Sequence, residues 1–200
     1  MSERRSPGDD RNAERRRIID SAYRLLADNH GISLPITAVL DASGISTRAF
    51  YRHFETKDAL MLAMLRDDSD AVRQMLVEEA AAAVDARTAL RGWTRYMLAL
   101  AADPRRRSRA LVLTSDEIRR ARGYADERQR YTAGQDIELL RLLRRGVDDG
   151  SLPGAHPESD APLIRAVIEE GFAKIMSAPS ELDSAKMTDE VWSFIDRSTR

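Results

Sequence analysis

Gly44-Ile45-Ser46-Thr47-Arg48-Ala49-Phe50-Tyr51-Arg52-His53-Phe54-Glu55-Thr56-Lys57 (GISTRAFYRHFETK) sets four basic or imidazole side chains among three aromatics. Its punctuation predicts the local fold. Ser43-Gly44 breaks whatever precedes it, and Ser46 can cap a helix over about 47–54, because its hydroxyl can accept from a free N–H of the first turn. Glu55-Thr56 interrupts again, and Thr56 can cap a longer helix beginning at Lys57. Upstream, Ser33-Leu34-Pro35 opens a short helix through about Ala42, since proline's missing N–H costs nothing in a first turn. Two short helices joined by a tight glycine turn form a helix-turn-helix, and the second of them is the reader.

A reader helix needs one face held and the other free. Ile45, Phe50 and Phe54 form the expected core-facing set, with Val39 and Leu40 opposite them. Thr47, Arg48, Tyr51 and Arg52 then face outward, with His53 near the far end. The major groove of DNA, about 12 Å wide, admits one such helix. Arg48 can reach guanine O6 and N7 together, and Thr47 can offer its hydroxyl or methyl to base edges. Tyr51, His53 and Lys57 suit phosphate oxygens, where they position the helix without reading sequence. Phosphate also suits the Lys57 position itself, because backbone N–H groups face outward at a helix start.

Composition bounds the rest of the reading. The formal net charge is −1, and residues 1–57 carry ten Lys/Arg against eight Asp/Glu while the remainder carries 22 against 25. The case for nucleic acid therefore rests on clustering and not on net charge. With no cysteine, disulfides, cysteine zinc sites and thiol catalysis are excluded. His156 stands in a Pro/Gly loop with no second histidine at ligand spacing, so no metal site or cofactor is expected. No segment approaches the roughly 18 uninterrupted apolar residues of a membrane span, and the charged N-terminus lacks a leader's apolar run. A cytoplasmic protein without a membrane partner is the expectation.

Outside the reader, every periodic segment is helical. Residues 1–11 have no apolar period and read as a disordered arm. Ile18, Ile19, Ala22, Tyr23, Leu25 and Leu26 mark a first helix ended by His30-Gly31. A long helix runs from Lys57 to about Val84, followed by helices over about 88–101, 106–120 and 126–147. Trp93, Tyr96, Met97 and Leu100 fall on one stripe, which is either ordinary core or the wall of a small-molecule pocket, with Tyr131 and Phe172 as further bulky candidates. Arg105-Arg106-Arg107 reads as a solvated helix end. The segment 161–176 is apolar on two sides: Leu163, Val167 and Glu170 follow one line, and Ile164, Ile168, Gly171, Phe172 and Ile175 another. One side can meet its own core, and the other needs a partner. Val191, Trp192, Phe194 and Ile195 give a short last helix with a similar excess.

Ser43, Gly44, Ile45, Ser46, Phe50, Tyr51, His53, Phe54, Thr56, Lys57, Asp58 and Leu60 together resemble, in register, the DNA-binding signature of the TetR family of transcriptional regulators. The resemblance covers Ile18 to Leu65. It implies an all-α chain in which a three-helix DNA-binding domain, 12–57, precedes a helical effector-binding and dimerisation domain, 58–200. It also implies base contacts among Thr47, Arg48 and Ala49 and phosphate contacts from Tyr51, His53 and Lys57, and Ser46 and Arg52 complete the expected DNA-binding set. The last two helices would pair with those of a second copy through Leu163, Val167, Val191, Trp192 and Ile195. The implied partners are an operator duplex, a second copy of the chain and a small, apolar or aromatic effector that releases a repressor. Two departures stand out. Pro35-Ile36 replaces the Thr or Ser that commonly binds phosphate at the start of the second helix, leaving Thr37 or Ser33 to substitute, and Leu40 replaces a small residue. A helical small-molecule-binding protein without operator binding is the alternative. An enzyme is not expected, because Glu169-Glu170 has no nearby base to work with.

Overall fold

The structure, a computed structural model, describes residues 7–177 and 184–200. Among the described residues it contains ten α-helices and no strand: α1 (Pro7–Asp28), α2 (Ile36–Ser43), α3 (Thr47–His53), α4 (Lys57–Ala82), α5 (Ala86–Ala102), α6 (Pro104–Leu113), α7 (Asp116–Arg119), α8 (Tyr124–Asp148), α9 (Pro157–Ser177) and α10 (Ser184–Ser198). Several boundaries differ from the sequence reading. Residues 7–11, expected within the arm, are helical, with Pro7 in the first turn where its fixed φ is already helical. Residues 1–6 of that arm lie outside the described residues. The single helix expected over 106–120 is broken at 114–115, giving α6 and the four-residue α7. Pro157, next to His156 of the expected Pro/Gly loop, begins a helix.

The chain divides into two compact units, one of Met1–Arg66 with Leu111–Glu127 and the other of Asp67–Ala110 with Arg128–Arg200. The expected boundary at 57/58 is thus corrected in two ways: the first unit keeps the opening turns of α4, and it takes in a segment from far downstream. Packing supplies the reason. Val112 and Ile118, 3% and 0% exposed, fill the same core as Ile18, Leu26, Leu34, Phe50 and Leu60. The Tyr23 hydroxyl donates to the Met64 carbonyl at 3.2 Å, tying α1 to α4. Gly31 has a φ of +73°, and a Cβ there would stand 2.4 Å from Ser115 Cβ, so glycine is required both for the turn and for the approach of the downstream segment.

In the second unit α5 packs against α9 and α10. Leu90, Leu98, Leu139, Leu143, Ile164, Ile168 and Ile195 form its buried centre. Arg107, expected to be solvated, instead donates to the carbonyls of Ile175 and Met176 at 3.4 and 2.9 Å, closing the end of α9. A cation is favoured there by the free carbonyls of a helix C-terminus.

Candidate nucleic-acid interface

The reader helix is built as its sequence demands. Ser46, extended at φ −67° and ψ 153°, accepts the Ala49 N–H on its side chain and caps α3. Gly44 takes the left-handed φ of +65° that closes α2 and turns the chain toward α3. Ile45, Phe50 and Phe54 are buried, with Val39 beneath them, and the Phe50 and Phe54 rings lie 5.9 Å apart. Thr56 accepts from Ala59 N–H at 3.0 Å and caps α4. The held face is therefore the one that spacing predicted.

On the opposite face, Thr37, Ser46, Thr47, Arg48, Tyr51 and Arg52 are exposed. Thr47 and Arg48 stand in the first turn of α3, the end that enters a groove. The Tyr51 ring meets Phe50 edge-on at 5.4 Å, which fixes its direction and leaves its hydroxyl available. Ala49 is half-buried against the core of the unit, so its methyl is partly spent on packing. Ser46 is likewise engaged by its capping bond. At the start of α2 no side chain caps the N-terminus, and the residue in the capping position is Pro35.

The cations at the end of α3 are placed differently from the sequence reading. The His53 side chain is 2% exposed, and its Nε2 lies 2.9 Å from Glu14 Oε2 on α1. It faces inward and does not present itself to a phosphate, which corrects the expected grip. The sequence pattern could not show this, because Glu14 is 39 positions away. Glu14 also accepts from Arg52 Nη2 at 2.8 Å. Hydrogen bonds from His53 and Arg52 hold its carboxyl below the usual carboxylate range. Lys57 Nζ lies 2.5 Å from Glu117 Oε1 on α7, and the same oxygen accepts the Leu34 N–H at 3.2 Å, just ahead of α2. Burial pushes Glu117 up, but the bonds from Lys57 and the Leu34 N–H outweigh it and the net shift is downward. Sequence reasoning missed Glu117, which sits 60 positions from Lys57 in a segment with no motif.

In the second unit the pocket candidates do not converge. Trp93 and Tyr131 line a cavity of about 20 Å³ with Arg73 and Gln135, a volume for a water molecule and not for an effector. Tyr96, Met97, Leu100 and Phe172 belong to the apolar core around Trp93 and do not line that cavity. Tyr131 accepts from Gln135 Nε2 at 2.5 Å, and burial pushes its phenol up to about 12. The Arg106 guanidinium stands over Tyr96 at 5.3 Å. Of the proposed interface residues, Leu163, Val167 and Val191 line an open groove of about 520 Å³ between α9 and α10, joined by Phe194. Ile195 is 0% exposed and serves the core instead. Trp192 is half-buried against that core under Arg91, 6.0 Å from its ring. Among the described residues no group of histidines and carboxylates could hold a metal ion, and no helix is long and apolar enough to cross a membrane.

Residues 18–64 match the family described as bacterial regulatory proteins, tetR family. The HTH-type transcriptional repressor Rv1474c of Mycobacterium tuberculosis is 36% identical over 87 residues, 44% of this chain and 42% of that repressor, so the chain matches less than half of that relative's length. The HTH-type transcriptional repressor KstR2 of Rhodococcus jostii is 27% identical over 154 residues, 72% of each chain. The transcriptional regulator FadR from Bacillus subtilis, solved in complex with stearoyl-CoA, superposes with a TM-score of 0.73 over 92% of this chain and 99% of its own at 16% identity. That likeness shows a shared fold.

Proposed function

Because the chain belongs, through residues 18–64, to the TetR family of bacterial regulatory proteins, we propose that it is a DNA-binding transcriptional repressor, a homodimer that a small molecule releases from its operator. One observation carries the reading. Thr47, Arg48 and Tyr51 stand exposed on a capped helix whose other face, Phe50 and Phe54, is locked into a core. A rigid scaffold with a polar outer edge is what groove reading requires. Arg48 reads bases. Tyr51 and Lys57 grip the backbone, and Lys57 keeps donors for a phosphate while it holds Glu117, since an ammonium carries three.

A two-fold dimer supplies two readers to half-sites about 34–36 Å apart, or a multiple of that spacing. The groove between α9 and α10, with exposed Leu163 and Phe194, supports that assembly as the face that needs a partner. The relatives named as repressors support the direction of control. A FadR of the same fold holding stearoyl-CoA supports a small-molecule effector. The water-sized cavity at Trp93 and Tyr131 is then the compact state, which an effector must open. To release DNA the effector must prefer the DNA-incompetent shape, by about 1–3 kcal/mol of coupling.

The test is binding to the duplex upstream of the protein's own gene, beside a random duplex, at two salt concentrations. Tyr51→Phe weakens both about equally. Arg48→Ala costs roughly 1–3 kcal/mol on the preferred duplex and narrows its advantage over the random one. Equal losses on both duplexes for the two variants would sink the assignment of Arg48 to base reading. No salt-dependent binding to either duplex would sink the function itself.

A further inference from the structure

The segment Asp116-Glu117-Ile118-Arg119-Arg120-Ala121-Arg122 carries three arginines in seven residues and folds into the same unit as the reader, although it lies far outside residues 18–64. Three interactions fix where it sits. Ile118 is fully buried in the core shared with Phe50 and Leu60. Glu117 holds Lys57 Nζ at 2.5 Å. The Arg122 N–H donates to Asp58 Oδ2 at 3.1 Å, seating residue 122 on the first turn of α4. Arg119, Arg120 and Arg122 are all exposed.

Arg120 follows Glu117 by three residues, and its charge helps keep the Glu117 carboxylate ionised. The segment is thus tied to the first turn of α4 at two points, Glu117 by its carboxylate to Lys57 and Arg122 by its backbone N–H to Asp58. The ion pair of Arg120 with Asp116 spans 3.9 Å between side chains that are each 76% exposed. An exposed pair of that kind gives way readily to a stronger anion. With Glu117 engaged by Lys57 and the Leu34 N–H, the segment exposes three arginines against the single exposed carboxylate of Asp116. Arginine on an exposed edge beside a phosphate-binding lysine suits the bidentate recognition of phosphate oxygens.

We propose that Arg120 and Arg122 are additional phosphate-backbone contacts, so that the DNA-binding surface extends beyond the helix-turn-helix onto the Leu111–Glu127 segment. The contact carries no sequence information. It widens the footprint on the duplex and steepens the salt dependence. Glu117 is a positioning residue in this arrangement, because it holds the segment and Lys57 together without touching DNA. The proposal rests on the reading of α3 and Lys57 as the DNA face.

The experiment is a salt titration of full-length protein on a labelled random-sequence duplex, comparing the unaltered protein with Arg120→Ala, Arg122→Ala, Lys57→Gln and Arg141→Ala. Arg141 is an exposed arginine of the other unit, bonded to Glu138, and controls for net charge. Arg120→Ala and Arg122→Ala are each expected to flatten the slope of log affinity against log salt by about 0.9 for every phosphate no longer neutralised, hence about 1.8 in a dimer. Arg120→Lys should restore most of it, while Arg141→Ala stays at the parent slope and the three arginine-to-alanine variants unfold at the parent temperature. Parent slopes for Arg120→Ala and Arg122→Ala beside a flattened Lys57→Gln would overturn this proposal alone. An unchanged slope for Lys57→Gln as well would overturn the reading beneath it. A loss in Arg141→Ala equal to that in Arg120→Ala would assign the effect to bulk charge and reject the phosphate contact.

Discussion

Removing the Phe50 ring tests whether the reader is held by its buried face. Phe50 is 0% exposed and meets Tyr51 at 5.4 Å and Phe54 at 5.9 Å. Phe50→Ala loses the transfer free energy of the ring and leaves a cavity, together about 3–5 kcal/mol. A domain of this size has about 5–15 kcal/mol in all, so about a fifth of its stability or more goes. Phe50→Leu keeps most of the apolar volume and should cost roughly 1–2 kcal/mol. The assay is a urea titration followed by two probes. Trp93 and Trp192 are the chain's two tryptophans and both lie in the second unit, so fluorescence reports that unit while far-UV circular dichroism reports both. The alanine variant should lower the dichroism midpoint in the order Ala below Leu below parent, and DNA affinity should fall on preferred and random duplexes alike. A loss under about 1 kcal/mol for alanine, or a fall in affinity confined to the preferred duplex, would refute the division of α3 into a held and a reading face.

Three further expectations follow from other parts of the molecule. Tyr131 has its phenol pushed from near 10 to about 12 by burial, so the folded chain keeps a proton that the unfolded chain loses. That contribution is complete below about pH 10 and is lost as pH rises toward 12, up to about 3 kcal/mol, and an ultraviolet titration should show at least one tyrosine ionising late. Ionisation of all five tyrosines near pH 10 would contradict it. Leu163→Glu places a charge on the exposed apolar line of α9 and should weaken self-association at least a hundredfold by light scattering without altering the helix content. Gly31→Ala combines a left-handed φ with a Cβ 2.4 Å from Ser115 Cβ and should destabilise the first unit by about 2 kcal/mol or more in the same urea assay.

The parts of the fold set by local chemistry were legible in the sequence. Ser46 and Thr56 cap the helices assigned to them, Gly44 turns where a left-handed residue was needed, and Ile45, Phe50 and Phe54 are buried. The double-sided pattern of α9 is present too, with Ile164, Ile168 and Ile175 inside and Leu163 out. Long-range partners were not legible. Nothing near His53 foretold that Glu14 would draw it inward, and nothing near Lys57 foretold Glu117. Ile195 is in the core and Phe194 outside, a distinction of one residue that a short apolar cluster leaves open until the helix phase is fixed. The aromatic stripe of α5 was correct as a stripe, yet it is used mostly for packing, because periodicity reports a buried face without saying whether that face encloses space.

The downstream segment also bears on how such proteins can be recombined. A chimera that transplants only the first sixty-odd residues onto another regulator's body would leave behind Val112, Ile118 and Ala121, which fill the core of the donor's own reader unit. It would also strip Lys57 and the Leu34 N–H of the carboxylate they share. The graft would carry the right outward side chains on an incompletely filled interior, and its failure would be mistaken for lost operator recognition. The exchangeable piece is discontinuous, two stretches of chain moved together, and inheritance by cutting at a single point would preserve it poorly.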